Sequence, residues 1–348
     1  MLTGILSELQ TGEAVLFLGA VCGFVTVLFT WLGGFLLQQL AQVTVAANFA
    51  SRFAVNAVIF EITGDVQAQI HTMKAVLLLS NAGSAILGEV LRDEFHTAFS
   101  TLYFISAIAT GLAMFCSGFL LSGKERVSQE CQQSFSLKDA TLDLVAIFRI
   151  PTVAWWTVWA LLVNPAHGVA LTYWQNLLKD IIDAKDRNGY MLGASYFAAA
   201  AVVAAVRRSS LLRAWTSLLV VGSVLSMGLL LLALTASHEE LLFYLILVLI
   251  QCVFEVSAAV STFQVGQEVY NSLSERPKEP RLALLFCITG VMSGALSSLV
   301  QQVHPISRRF SLAATVLLIM APLLSLVACA TRARRADSPL TMEMHRNA

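Results

Sequence analysis

Long apolar runs separated by short polar breaks dominate the pattern of this chain. Each run approaches or exceeds the roughly 20 residues that a helix needs to cross a bilayer core. None shows the strict alternation that is typical of a barrel strand, so helices are the expected spanning form. Ten segments are predicted, at residues 13–38, 40–63, 71–91, 98–121, 143–177, 189–206, 210–236, 240–267, 281–303 and 309–331. The fifth contains Pro151 and Pro165 and is expected to begin with an interfacial turn.

Composition supports a polytopic all-α membrane protein. Hydrophobic residues make up 57% of the 348 residues and charged residues only 13%, whereas soluble domains carry roughly 25% charge. The formal net charge is zero, which argues against a nucleic-acid partner. No CxxC pair, HExxH or GxSxG motif is present, so we expect no metal, no cofactor and no enzymatic activity.

The polar breaks suggest how the chain is organised. The longest one, at residues 123–139, predicts a cytosolic linker at 123–142. It would separate an N-terminal bundle of four helices (1–122) from a C-terminal bundle of six (143–331), followed by a cytosolic tail (332–348). Most Lys and Arg residues of the breaks fall on one side of ten threaded spans. The positive-inside rule then places both termini in the cytosol, and a plasma-membrane location is expected.

The second segment carries a positive charge near its centre. Arg52 has Asn48 one turn before it and Asn56 one turn after it, so all three share a helical face. A charge at this depth needs a partner or water. Arg52 either clamps a neighbouring helix or lines a watery cavity that attracts an anionic group.

The third segment contains Lys74 near its cytosolic end and Glu89 near the opposite end. Lys74 either snorkels to the interface or contacts a solute. Glu89 is expected to be solvated.

The fifth segment places Asn164, His167 and Gln175 along one face, with Tyr173 close by. His167 is either a hydrogen-bonded bundle residue or a proton-coupling group, because imidazole titrates near physiological pH. In the eighth segment Gln251 and Glu255 share a face, and Glu255 must be protonated, solvated or paired, with Arg52 as the candidate partner.

The ninth segment carries Thr289, Ser293 and Ser297 at intervals of four, next to Gly290 and Gly294. Such a stripe either lines a pore or packs against another helix, and with the glycines present packing is at least an equal alternative. Polar faces on several helices of both halves indicate a central cavity between two bundles, typical of a carrier for a small solute.

Short motifs in register resemble the reduced folate carrier and thiamine transporter family of the major facilitator superfamily. Residues 50–54 with 59–60 resemble its fourth helix, and 74–78 with 86–89 its fifth. Residues 155–177 resemble its seventh helix and 188–189 the start of its eighth. Residues 261–265 resemble its tenth helix and 281–286 the entry to its eleventh. The resemblance implies a twelve-helix, two-bundle carrier working by alternating access, of which this chain has helices three to twelve and lacks the first two.

The resemblance also bears on the substrate. Folate-carrying members have Arg at the position of Arg52 and thiamine-carrying members have Glu, which agrees with the opposite charges of the two vitamins. Lys74 keeps a positive charge where the family has Arg. The polar faces and the resemblance together lead us to expect substrate contacts in the second, third, fifth, eighth and ninth segments, by Asn48, Arg52, Asn56, Lys74, His167, Tyr173, Gln175, Gln251, Glu255, Thr289, Ser293 and Ser297.

Several positions depart from the pattern of folate carriers. Gln251 and Ser297 stand where those members have Arg and Lys, and Glu255 replaces a Gln. His167 and Gly168 replace an aromatic pair. The leading prediction is a carrier of a vitamin-type, folate-like anion, with an anion or a proton as counter-transported ion. The alternatives are transport of thiamine or another cofactor, or a receptor-like, degenerate relative that transports nothing.

Overall fold

Where the computed structural model describes the apolar segments, they form helices, and it contains no other regular element in the residues it describes. Those residues are 12–41, 43–45, 47–48, 51, 66–122, 145–182, 188–206, 214–235, 240–272, 279–300, 302–303, 305, 307–320 and 323. The long helices are α1 (Gly12–Leu32), α2 (Val66–Asp93), α3 (Phe99–Ser122), α4 (Pro151–Ile182), α5 (Asn188–Val206), α6 (Ala214–Thr235), α7 (Glu240–Ser272) and α8 (Glu279–Val300). Residues 35–41, 43–45, 47–48 and 307–320 are also helical.

Glycine and proline set two of the helix boundaries. Helix α1 ends before Gly33 and Gly34, which have φ angles of 70° and 88°, a region that favours glycine. The predicted first segment at 13–38 is therefore wrong in its end, because the helix breaks at this pair. Helix α4 begins at Pro151 after a turn at 149–150, as expected for a proline in the first turn. It continues through Pro165.

Helix α2 packs with the helices of the C-terminal part, and α1 reaches that part through a small contact with α8. In the N-terminal part of the chain, α1 packs against α3. In the C-terminal part, α7 packs against α4, α5 and α6, while α8 packs against α4. Helix α2 packs along α5 and also contacts α7. The predicted linker at 123–142 and the tail at 332–348 lie outside the described residues.

The largest hydrophobic core lies in the C-terminal part and is rich in aromatic side chains. Trp156 and Trp174 of α4 pack there with Leu225 of α6, Phe243 of α7 and Phe310. A second cluster joins α2 to this part of the molecule through Leu78, Ala199, Ala200, Val203, Val256 and Val260.

Large apolar side chains also cover the outside. On α3, Phe104, Phe115 and Phe119 are at least half exposed, which would be costly in water. Four of the described helices are long and apolar enough to cross a bilayer, at Ala68–Asp93, Phe99–Phe119, Asn188–Val206 and Leu241–Val269. The exposed apolar surface is therefore a lipid-facing surface, and the chain is a membrane protein.

Candidate functional site

A chain of buried polar side chains connects α4, α7 and α2. His167 Nε2 lies 3.1 Å from Gln251 Oε1, and Gln251 Nε2 donates to Glu255 Oε1 at 3.0 Å. Glu255 Oε2 lies 2.7 Å from the Lys74 ammonium. His167, Gln251 and Glu255 are all buried. We call these four residues the polar chain.

The hydrogen bonds of the polar chain run in one direction. Gln251 uses its amide nitrogen toward Glu255, so its carbonyl oxygen is left to accept from His167. In this amide orientation, the contact with His167 is a hydrogen bond in the tautomer that carries a proton on Nε2. In that tautomer each donor of the polar chain points toward the Glu255 carboxyl group.

Two helical faces position these groups. Gln251 and Glu255 are one turn apart on α7, and Phe254 between them stacks on the His167 ring at 3.4 Å between centroids and 8° between planes. On α2, Lys74 lies on the face that also carries the buried His71, Leu78 and Ala82. That face points toward α5 and α7, because Leu78 belongs to the cluster formed with those helices.

The structure gives Glu255 a different partner from the one expected. The sequence favoured Arg52, whereas the carboxylate is paired with Lys74. Lys74 was expected either to snorkel or to contact a solute, and its ammonium lies inside, against a buried acid. Arg52 and Asn56 lie outside the described residues.

Asn48 is placed against α1. Its side-chain nitrogen donates to the Gly19 carbonyl at 2.6 Å, and a Cβ added at Gly23 would lie 2.7 Å from the same nitrogen. Asn48 therefore satisfies the backbone of α1 in this conformation.

The polar stripe of α8 turns inward, toward α4. Thr289 and Ser293 are buried, and the Thr289 hydroxyl donates to the Leu285 carbonyl at 2.9 Å. Ser297 Oγ would lie 3.1 Å from a Cβ added at Gly168 of α4.

Gly294 does not make a close helix contact with the described residues. This glycine is exposed, and a Cβ there would meet no atom within 4 Å. The hydroxyl stripe and Gly294 therefore lie on different faces of α8.

Tyr173 has an unexpected partner. The guanidinium of Arg309 lies 4.4 Å from the centre of its ring, an arrangement that is favourable for a cation and an aromatic face. Arg309 is buried although the next residue back, Arg308, is exposed. The sequence analysis did not predict that Arg309 is buried. The pattern that could have indicated it is the apolar helix face after Arg309, formed by Phe310, Ala313, Ala314 and Leu317. Gln175 is half-buried on α4.

Glu89 was expected to be solvated, and this is wrong. It is buried. Its Oε2 accepts a hydrogen bond from the Gly189 backbone N–H at 3.0 Å, and its Oε1 lies 3.0 Å from Arg92 Nη2. The carboxylate sits at the beginning of α5, where backbone N–H groups have no partner within the helix and a negative charge is favourable.

Known proteins resemble the chain in sequence and in fold. A folate-like transporter of Dictyostelium discoideum is 24% identical over 203 residues, covering 58% of this chain and 35% of that protein. The crystal structure of the human organic anion transporter MFSD10 matches with a TM-score of 0.63 at 13% identity, covering 94% of this chain and 78% of that one. The chain therefore has the fold of a major facilitator transporter but spans about a third of the length of the folate-like relative.

The family model described as reduced folate carrier matches residues 121–316, more than half of the chain. This matched part contains His167, Gln251 and Glu255 of the polar chain, while Lys74 precedes it. On this evidence, the chain belongs to the reduced folate carrier family.

Proposed function

We propose that the protein carries a vitamin-type organic solute, a folate-like anion, across a membrane by alternating access. The family supports this proposal, as does the relative that is named a folate-like transporter. The fold shared with an organic anion transporter is consistent with it.

The observation that carries the proposal is the polar chain itself. Ionisable groups within membrane spans are costly and usually mark the path of an ion or solute. Here a lysine and a glutamate meet between α2 and α7, with Gln251 and His167 extending the contact to α4. These helices lie on opposite sides of the predicted linker at 123–142, and solute sites of such carriers lie between the two repeats.

The proposed organisation follows the sequence. Residues 1–122 and 143–331 form the two bundles that rock against each other, and both termini are cytosolic in the plasma membrane. Protease added outside right-side-out vesicles should leave a C-terminal tag intact. Digestion of the tag would show that the C-terminus lies outside and would contradict this topology.

Uptake by reconstituted liposomes tests the function. Labelled folate and labelled thiamine are offered separately, each with and without an excess of the unlabelled compound. We expect saturable folate uptake that unlabelled folate abolishes and thiamine does not. Uptake of neither compound would contradict the proposal and favour a relative that does not transport these vitamins.

Thiamine or another cofactor-like solute is the second candidate. Gln251 is neutral, and Glu255 neutralises Lys74 at 2.7 Å, so the polar chain as a whole has no excess positive charge when His167 is neutral. Saturable thiamine uptake in the same experiment would favour this candidate.

Arg52 is proposed to select the sign of the solute. A charge-assisted hydrogen bond from Arg52 to a carboxylate should contribute about 1.5–3 kcal/mol, or roughly ten- to a hundred-fold in affinity. Arg52→Gln should lose most of this and Arg52→Lys should retain part of it. Arg149 is exposed, so Arg149→Gln is the matched control. Unchanged folate affinity in Arg52→Gln would make Arg52 structural.

A further inference from the structure

The two halves of the Lys74–Glu255 pair are not equally accessible. The side chain of Lys74 is 24% exposed and that of Glu255 is 8% exposed. The exposed part of Lys74 is not on the lipid side of α2, because Val76, Leu79 and Leu87 mark that side while Lys74 lies with the buried His71 and Leu78. An anion arriving between the helices would therefore meet the lysine first.

We propose that this pair is a charge-exchange site, in which a carboxylate of the solute replaces the Glu255 carboxylate at Lys74 and the released Glu255 takes up one proton from water. The inference rests on the proposed transport function and adds to it the coupled ion, a proton that travels in the same direction as the anion.

Charge balance within the bundle supports the exchange. Before the solute binds, one ammonium faces one carboxylate. After exchange, the ammonium faces the carboxylate of the solute, and Glu255 is neutral. Each state avoids an unpaired charge inside the membrane, whereas an exchange without a proton would strand Glu255 as a buried anion.

The surroundings of Glu255 favour protonation once Lys74 has turned away. Its Oε1 accepts from the amide of Gln251, which is a neutral donor and does not compensate a full charge. Its Oε2 has Lys74 as its ion-pair partner. Burial then disfavours the ionised form.

The proton taken up by Glu255 must be distinguished from protons taken up by other titratable groups nearby. Four helices pack against α7. Helix α2 places Lys74 and His71 near Glu255, and α4 places His167 there. The described spans of α5 and α6 carry no charged residue or histidine. Cys252 lies on α7 itself, and α5 adds only phenols. His71 and His167 are the two imidazoles near Glu255, and variants of each separate their contribution from that of Glu255.

Liposomes containing a trapped pH-sensitive dye test the exchange. An inward gradient of labelled folate should carry one proton into the lumen for each folate taken up through the site. The apparent Kd for folate should rise as pH rises, by up to about ten-fold per pH unit, because proton uptake and anion binding are linked. In Glu255→Gln the proton signal and this pH dependence should both disappear. Folate should bind that variant roughly ten-fold more tightly or better, since no internal carboxylate competes for Lys74.

Matched variants assign the proton. Glu268 is a second glutamate on α7, and Glu268→Gln should keep the wild-type ratio of protons to folate. His167→Gln and His71→Gln should keep that ratio too, whatever their effect on rate. If Glu255→Gln does not fold, the charge-neutral double variant Lys74→Gln/Glu255→Gln replaces it and should lose both folate uptake and the proton signal.

The outcomes distinguish the two proposals. Folate uptake by wild type without lumen acidification overturns the exchange and leaves the transport function standing. Loss of the proton signal in a histidine variant, with the signal kept in Glu255→Gln, also overturns it. Absence of uptake of any carboxylate solute overturns both.

Discussion

The two ends of α2 contact the rest of the molecule in different ways. At Lys74, the contact is an ion pair between two long side chains, Lys74 and Glu255. At Glu89, about 22 Å further along the helix axis, it is a close approach of backbones. A Cβ added at Gly189 would lie 2.6 Å from the Ala85 carbonyl oxygen, and one added at Gly193 would lie 3.2 Å from the Ala82 carbonyl oxygen.

This difference indicates which end can change partners. Lysine and glutamate side chains have several rotatable bonds, so their contact can be replaced by another ion without moving a helix. The glycine contact leaves no space between α2 and α5, and its geometry is fixed by backbone atoms. We therefore interpret the Lys74 end as the site of exchange and the Glu89 end as a fixed seam. The first three predictions below each perturb one of the two ends, and the fourth perturbs a contact between α4 and α8 for comparison.

Removing Lys74 should have the largest effect on stability. In Lys74→Ala the buried Glu255 loses its cation, which should cost about 3–5 kcal/mol. The double variant Lys74→Ala/Glu255→Gln should recover more than half of this loss, and the loss in the single variant should shrink in acidic buffer, where Glu255 can be protonated. Denaturant titration in detergent micelles measures these free energies of unfolding. A double variant that is no more stable than the single one would show that the pair is not a coupled unit.

Filling the seam should have the next largest effect. Gly189→Ala places a methyl group against backbone and should cost about 1–3 kcal/mol. Gly83 of α2 is the matched control, because it is exposed and a Cβ there meets no atom within 4 Å. Gly83→Ala should be neutral or stabilising by up to about 1 kcal/mol. Thermal unfolding of the two purified variants measures the shift of each midpoint temperature. Equal shifts in Gly189→Ala and Gly83→Ala would contradict a fixed seam.

Glu89 should contribute through its hydrogen bond more than through its charge. Glu89→Gln keeps a carbonyl oxygen to accept from the Gly189 N–H and loses only the pair with the partly exposed Arg92, so it should cost less than about 1 kcal/mol. Glu89→Leu removes both interactions and should cost about 1–3 kcal/mol. Unfolding titrations that rank the two variants in the opposite order would mean that charge dominates at this end.

The smallest effect is expected where a glycine faces a side chain. A Cβ at Gly168 would lie 3.1 Å from Ser297 Oγ, which is an atom of a side chain rather than of the backbone. Gly168→Ala should therefore change the free energy of unfolding by less than about 1 kcal/mol, in contrast to Gly189→Ala. A loss as large as that of Gly189→Ala would show that α4 and α8 also form a rigid seam.

Local spacing was enough to predict which polar residues share a helix face. Gln251 and Glu255 are one turn apart, and the structure joins them directly. The helical class also followed from composition and from the length of the apolar runs. The break at Gly33–Gly34 was missed because residues on both sides of it are equally apolar.

Contacts between distant segments could not be derived from spacing. The pairing of Lys74 with Glu255 depends on how α2 and α7 are rotated about their axes, and the bond from Gly189 to Glu89 joins residues a hundred positions apart. Arg308 and Arg309 are neighbours in the sequence, yet only Arg308 is exposed. In each case tertiary packing decides whether a charge is paired or solvated.

The protonation state of Glu255 tests the central claim most directly. Infrared difference spectra of the purified protein, recorded at constant pH before and after folate is added, report new protonated carboxyl groups through their C=O stretching band. The exchange predicts a band that appears with folate, is absent in Glu255→Gln, and is retained in Glu268→Gln. A spectrum in which folate binds and no such band appears, or in which the band persists in Glu255→Gln, would contradict the account.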